Sequence, residues 1–322
     1  MEPRRARAYV ATMRRWAPHP VTLRQLQYAL AIAEHGTFRK AAEACAIAQP
    51  SLSAQVAQLE DALGVRLFER LPRGVVVTEA GAAILERARR TILEADDLVS
   101  TAARTRDPLS GTLRVGVIPT VAPYLLPDIA TTMRSGYPAL KLIWSEEKTR
   151  DLVARVLSGE LDAGILALES DLADLETAML GRDAFFLAVP SSHKLAKPTH
   201  KGAPAKLDDL EGETVLLLDD GHCFRDQALA ICTRIGAEEA SMRATSMSTL
   251  TQMVAGGVGI TLLPQIALAT ENRARSLVVR PFGPRGPART LVLAWRKTSA
   301  VAPSLRAVAI TMRSAIEKLT LG

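Results

Sequence analysis

The sequence predicts a mixed α/β chain in three parts: a small helical N-terminal domain with a β-wing, one long helix, and a two-lobed α/β domain. Three observations carry this. Short amphipathic helical patterns separated by a tight turn precede an arginine-bearing hairpin pattern. An uninterrupted helical pattern then runs from Thr78 to Thr105, with Gly81 its only breaker. From Thr112 onward, strands and helices alternate. The expected boundaries are a basic, disordered extension over 1–21, the first domain over 22–80, a linker helix and hinge over 81–110, and the last domain over 111–322. Lobe I of that domain is expected at 111–184 and 286–322, and lobe II at 185–285.

From Leu23, the spacing of Leu26, Leu30, Ile32 and Ala33 makes an amphipathic helix ending near Gly36. Thr37 can N-cap a second helix running to Cys45, with Ala41, Ala42 and Cys45 inward. After the Ala46-Ile47-Ala48 turn, Gln49-Pro50-Ser51-Leu52-Ser53 opens a third helix, with Pro50 in the first turn, where a missing amide costs little. Leu52, Val56, Leu59 and Leu63 are its expected buried stripe, and Gly64 stops it. Two short helices with a tight turn between them form a helix-turn-helix. The exposed set on the third helix is Gln49, Ser51, Ser53, Gln55 and Gln58, side chains suited to base edges and phosphate oxygens. The same residue types also cover any solvated helix face. Val65 to Val77, with Arg66, Arg70 and Arg73 near the Pro72-Arg73-Gly74 turn, predicts a hairpin wing.

In the long helix, Ile84, Leu85, Ala88, Ile92, Ala95, Leu98, Val99 and Ala102 form one stripe. Such a helix is too long to bury itself in a domain of this size, so a coiled-coil partner is implied. Asp107-Pro108-Leu109-Ser110-Gly111 ends it and makes a hinge. Strands are then expected over Leu113–Ile118, Lys141–Ser145 and Ala163–Ala167. A crossover over Ala184–Val189 leads to the second lobe, and the chain returns through Pro284–Pro287 to a strand over Thr290–Trp295 and a final helix from Pro303. There is no Walker loop, dinucleotide fingerprint or metal-ligand spacing. Ala255-Gly256-Gly257-Val258-Gly259 lacks the Lys-Ser/Thr pair of a phosphate loop, so no cofactor is expected.

Composition narrows the class further. Hydrophobic residues make up 48% of the chain, yet no apolar run approaches the ~18 residues of a membrane span. Three cysteines, an odd number, do not build a secreted disulfide framework and point to a reducing compartment. The net charge of +6 is uneven: the first 20 residues hold five arginines and one glutamate, while residues 22–80 carry six basic and six acidic side chains. Charge alone therefore does not argue for nucleic acid.

The most informative stretch follows the apolar run Thr214–Leu218. An Asp220-Gly221 turn leads into a helical pattern over Phe224–Ile235, stopped by Gly236. Cys223 is thus expected at a helix N-terminus with His222 and Arg225 beside it. Unpaired amides, the helix dipole and a neighbouring cation all favour thiolate over thiol. Nine helical residues separate Cys223 from Cys232 by about 13 Å of rise, whereas a disulfide needs Cα atoms within about 7 Å. Oxidation would therefore be a conformational switch, requiring the helix to unwind. A second reading stays open: Cys232, next to Ala230 and Ile231, is a buried helix residue packing as a small hydrophobe. Cys45 is read as helix packing and His193 as a surface turn.

Gly221-His222-Cys223-Phe224-Arg225-Asp226-Gln227-Ala228 with Cys232 resembles the sensing segment of the OxyR family, the hydrogen-peroxide-responsive LysR-type transcriptional regulators. The string Ala41-Ala42, Gln49-Pro50-Ser51-Leu52-Ser53, Leu59-Glu60, Leu63-Gly64 and Leu67-Phe68-Glu69-Arg70 resembles the winged helix-turn-helix of LysR-type regulators. Ala48 departs from it, standing where the family usually has Ser or Thr. The two lobes joined by two crossings resemble the periplasmic-binding-protein-like fold of LysR effector domains.

The resemblance implies that Cys223 is the peroxidatic nucleophile and Cys232 the resolving thiol. Thr120 and Thr149, with His222, Arg225 and Asp226, would hold and polarise peroxide. Threonines ahead of helices also act simply as caps. Gln49, Pro50, Ser51, Ser53, Gln55, Gln58, Arg70 and Arg73 would contact promoter DNA. The resemblance further implies a cytoplasmic homotetramer, a dimer of dimers paired through the linker helix, that activates oxidative-stress genes with RNA polymerase. Thiol reductants of the glutaredoxin or thioredoxin type would reset it. No enzymatic activity, cofactor, metal or membrane is implied. Family members usually begin near Val21-Thr22-Leu23, so residues 1–20 are either an over-extended start or a basic arm on phosphates. The alternatives are a regulator answering to a small metabolite in the inter-lobe cleft and, in another class, a thiol peroxidase. An enzyme would have no use for residues 22–80.

Overall fold

The computed structural model describes residues 18–72, 74–104, 109–197 and 203–321. Most of the predicted N-terminal extension, Arg73 and the first residues of the predicted hinge lie outside the described residues. The chain divides into two compact units, residues 1–96 and 97–322.

The first unit opens with α1 (Leu23–His35), which Thr22 and Gln25 close in a reciprocal capping box and Gly36 ends at φ +69°. α2 (Phe38–Ala44) is capped by the Thr37 hydroxyl, and Cys45, half-buried, follows it as the C-cap residue. α3 (Gln49–Leu63) starts at Ala48 with no side-chain cap and with Pro50 in its first turn. Its Leu52, Val56 and Leu59 are buried against Leu26, Ala29, Ile32, Ala41 and Ala42. Leu63, expected in that stripe, is exposed, because residues 61–64 at the end of α3 all face solvent. Glu60 is buried instead: its Oε1 accepts the N–H groups of Leu67 (2.7 Å) and Phe68 (3.2 Å). That carboxylate fixes the entry to the hairpin β1 (Phe68–Leu71) and β2 (Gly74–Val77), which pair antiparallel with Phe68 opposite Val77. α4 (Glu79–Arg104) adds Leu85 and Ala88 to the core, while its Leu98 and Val99 are exposed.

The second unit runs β3 (Gly111–Val117), α5 (Ala122–Gly136), β4 (Leu140–Glu146), α6 (Thr149–Ser158), β5 (Ala163–Ala167) and β6 (Leu175–Pro190). It continues with β7 (Thr214–Leu218), α7 (Cys223–Ile235), β8 (Glu238–Ala244), α8 (Met247–Ala255), β9 (Thr261–Pro264) and the single turn α9 (Leu268–Glu271). β10 (Leu277–Pro281), β11 (Ala288–Arg296) and α10 (Ala302–Leu321) complete it. Six strands lie in the order β10-β6-β11-β5-β3-β4, and β9 also pairs with β6. β3 is parallel to β4 and β5, as crossover helices require, and β11 is antiparallel to β5 and β6.

β6 explains the predicted crossover. It is one 16-residue strand whose residues 175–184 pair with β11 and whose residues 185–190 pair with β9 and β10. The segment Ala184–Val189 is thus the second half of a continuous strand. β7 and β8 form a separate parallel pair, joined by a bridge from Val215 to Ile260. Apolar side chains of β3, β5, β6, β7 and β11 share one core. α6 begins three residues beyond β4 and α7 five residues beyond β7, so both helix N-termini stand at strand C-terminal ends, where ligands of α/β sheets gather.

Candidate functional site

A cleft of about 720 Å³ opens between the first turns of α6 and α7, with Thr149, Ser170, Cys223, Asp226 and Gln227 among its walls. Gly221 turns the chain out of β7 at φ +90°, His222 is the N-cap residue, and Cys223 is the first residue of α7. Cys223 is 6% exposed and lines the cleft. Cys232 lies on the same helix, 1% exposed, and burial pushes its thiol up to about 11. Both are free thiols. With an unbroken helix between them, their separation along the axis is about 13 Å. The two thiols thus stand on one helix at the separation expected from their spacing.

The polar surroundings differ from expectation. His222 is buried; its Nε2 lies 3.2 Å from Asp219 Oδ1, near enough for an electrostatic contact but outside hydrogen-bonding angles. Burial, then the Lys148 charge, pushes the imidazole below its ordinary value of 6.5, against the pull of Asp219. Both effects disfavour an imidazolium beside Cys223. Arg225 is buried and committed to acids, with Nη2 donating to Glu239 Oε1 (2.9 Å) and Nε 3.3 Å from Asp220 Oδ1. Arg243 joins the same two carboxylates, closing a four-membered network beside α7.

Thr149 begins α6, and its buried hydroxyl has no hydrogen-bond partner among the described residues. The same holds for Ser170 Oγ and for both amide atoms of Gln227. Buried polar atoms are normally paired, so this set at one cleft is a ready hydrogen-bonding surface for a small polar ligand. Asp226 is exposed at the rim. Thr120 is not among the cleft-lining residues. Its hydroxyl and carbonyl both accept from Arg289 (2.7 and 2.9 Å), whose Nε donates to Asp183 Oδ2 at 2.9 Å. Arg289 and Asp183 are fully buried. Sequence reasoning missed Lys148, Ser170, Gln227, Asp183 and Arg289. Gln227 stood inside the Gly221–Ala228 motif; the partners of Lys148, Asp183 and Arg289 lie far away in the chain, and nothing near Ser170 marks it.

A second candidate surface lies on the first unit. Gln49, Pro50, Ser51 and Gln58 are exposed, and Ser53 and Gln55 are half-buried. Arg70 of the wing donates to Ser53 Oγ at 2.8 Å and stacks over the Phe38 ring at 4.3 Å. A shallow depression of about 460 Å³ beside them is walled by Gln49, Arg70 and the adjacent pair Arg39 and Lys40, which a net charge of zero had concealed. Gln49, Arg39, Lys40 and Arg70 form a polar, largely basic face on a helix-turn-helix, the composition that suits a nucleic-acid backbone.

Comparison with known proteins shows the family. Residues 23–82 match the bacterial regulatory helix-turn-helix protein, lysR family, and residues 106–316 match the LysR substrate binding domain. The chain is 40% identical over 280 residues to the hydrogen peroxide-inducible genes activator of Dickeya chrysanthemi, covering 87% of this chain and 90% of that one. It is 39% identical over 298 residues to the DNA-binding transcriptional dual regulator OxyR of Escherichia coli K12, covering 92% and 96%. Among solved structures, a full-length OxyR variant from Pseudomonas aeruginosa superposes with TM-score 0.74 at 32% identity, covering 92% and 96%. A peroxide-bound OxyR variant from Corynebacterium glutamicum gives 0.64 at 34% identity, covering 94% and 95%. The chain belongs to the LysR family of bacterial transcriptional regulators, in its OxyR branch.

Proposed function

We propose that this protein is a DNA-binding transcriptional regulator that senses hydrogen peroxide through a reversible Cys223–Cys232 disulfide and controls oxidative-stress genes. The observation that carries the reading is the pair of free thiols on one helix, Cys223 at its N-terminus facing a polar cleft and Cys232 buried nine residues on. The Cys223 sulfur attacks one peroxide oxygen: an S–O bond forms, the O–O bond breaks, and water leaves a sulfenic acid. The Cys232 sulfur then attacks that sulfur, forming the S–S bond and expelling a second water. Two thiols lose two hydrogens and one peroxide becomes two waters.

Thr149, His222 and Asp226 surround the first step, with Arg225 holding the turn through Asp220 and Thr120 anchoring the strand end through Arg289. Burial keeps Cys232 protonated and unreactive until α7 opens. The disulfide then holds α7 unwound, and the two lobes of a periplasmic-binding-protein-like domain rearrange with it. Gln49, Pro50, Ser51, Ser53, Gln55, Gln58, Arg70 and Arg73 meet promoter DNA, Arg73 from outside the described residues. The working unit is a dimer of dimers in the cytoplasm, engaging RNA polymerase and reset by thiol reductants of the glutaredoxin or thioredoxin type.

A regulator answering to a small metabolite is the second reading, favoured by a cleft of about 720 Å³, far larger than peroxide needs. Reduced protein treated with substoichiometric peroxide, beside Cys223→Ser, separates them by intact-mass and peptide mapping. Loss of two hydrogens located at Cys223–Cys232, absent in the variant and sparing Cys45, is the expected result. Both cysteines remaining reduced in a protein that still binds DNA would leave the metabolite reading standing.

A further inference from the structure

Lys148 belongs to no predicted site, yet its ammonium is wholly engaged by the turn that starts α7. Nζ donates to Asp219 Oδ1 at 2.9 Å, Asp219 Oδ2 at 3.1 Å and the Asp220 carbonyl at 2.7 Å. An ammonium has three protons, and here they meet three acceptors. The bond joins residues 71 apart in the chain, tying the start of α6 to the end of β7. The aliphatic stem is seated as well: a Cβ on Gly221 would lie 3.0 Å from Lys148 Cδ. Asp219, gripped in this way, is the carboxylate 3.2 Å from His222 Nε2, and His222 immediately precedes Cys223.

We propose that Lys148 is a positioning residue for oxidation of Cys223: it fastens the Asp219-Asp220-Gly221 turn and, through Asp219, sets the His222 ring at the start of α7. The inference rests on the reading of Cys223 as the peroxide-reactive thiol. Electrostatics gives it a distinct signature. Lys148, from the start of α6, and Asp219, from the end of β7, are the charges acting on the His222 ring; Lys148 disfavours its protonation and Asp219 favours it. Without the ammonium, Asp219 acts unopposed and His222 titrates at a higher pH. A purely structural surface lysine would leave that titration unmoved.

The test compares reduced full-length protein with its Lys148→Met and Lys148→Arg variants. The Lys148 side chain is 37% exposed, so either replacement fits without repacking a core. Cys223 oxidation by hydrogen peroxide is timed by quenched mass analysis from about pH 5 to pH 8, and the His222 imidazole is titrated by NMR. In Lys148→Met, oxidation at neutral pH is expected to be about fivefold slower, the scale of one partly exposed ion pair. Its His222 titration moves up, and an inflection at that pH enters the rate profile. Lys148→Arg, which keeps the charge, restores both. An unmoved rate, an unmoved titration or the absence of rescue by arginine each overturns the proposal. Wild-type protein that peroxide fails to oxidise at Cys223 refutes the peroxide reading instead. The His222 titration then still decides whether Lys148 governs the ring.

Discussion

Cys232 sits near the end of α7 with 1% of its surface exposed, and burial raises its thiol from 9.0 to about 11. The folded chain therefore keeps this proton through a range in which the unfolded chain loses it. Because the unfolded state binds fewer protons there, the unfolding free energy falls as pH rises from 9.0 toward 11, by about 2 kcal/mol in all. Urea titrations of reduced protein at about pH 8 and about pH 10.5 should show this loss, and a Cys232→Ala variant should lack the part due to Cys232. The Arg289–Asp183–Thr120 cluster sets a second expectation. Asp183→Ala leaves a guanidinium buried without its counter-charge and should cost about 3–5 kcal/mol in denaturant unfolding of the second unit. The burial of Cys232 was among the sequence readings, but the pairing of Asp183 with Arg289 was not legible. Asp183 and Arg289 stand 106 positions apart, and nothing near either one marks it as buried.

At the scale of elements, local chemistry was far more legible. Thr22, Thr37 and Ser246 each cap the helix that follows, and Gly36, Gly64 and Gly236 each end one in the left-handed region. Each depends on residues within one turn of the helix end, so the sequence pattern carries it. α3 is the exception among the helices of the first unit: Ala48 at its N-cap offers no acceptor. Its backbone is already extended, at φ −72° and ψ 137°, so Ala48→Ser can supply the missing cap without strain. That substitution should stabilise the first unit by about 1 kcal/mol, read as a higher melting temperature. Leu63 shows where periodicity stops being informative. The apolar repeat continues to the helix end, but the surrounding elements that bury Leu52, Val56 and Leu59 do not. β6 shows the same limit: a strand pattern cannot reveal that its two halves pair with different neighbours.

At the scale of the molecule, the exposed Leu98 and Val99 on α4 match the stripe that predicted a helical partner. Leu98→Asp should weaken self-association by about 1–3 kcal/mol, lowering the assembly state seen by analytical ultracentrifugation at micromolar chain concentration. Reduced stability without a change in assembly would instead mark that stripe as intramolecular packing. Sequence alone determined the class of fold, the helix-turn-helix with its wing, the glycine-stopped helix ends, and the placing of Cys223 at a helix N-terminus nine residues from Cys232. All of these follow from contacts between near neighbours, which residue spacing encodes. Only the tertiary structure decided that burial and Lys148 disfavour a charged His222, that Arg225 and Thr120 are engaged elsewhere, and that Lys148 grips the turn before Cys223. Burial and ion pairing join residues dozens of positions apart, and the dielectric surroundings that set a proton's place exist only once those residues have met.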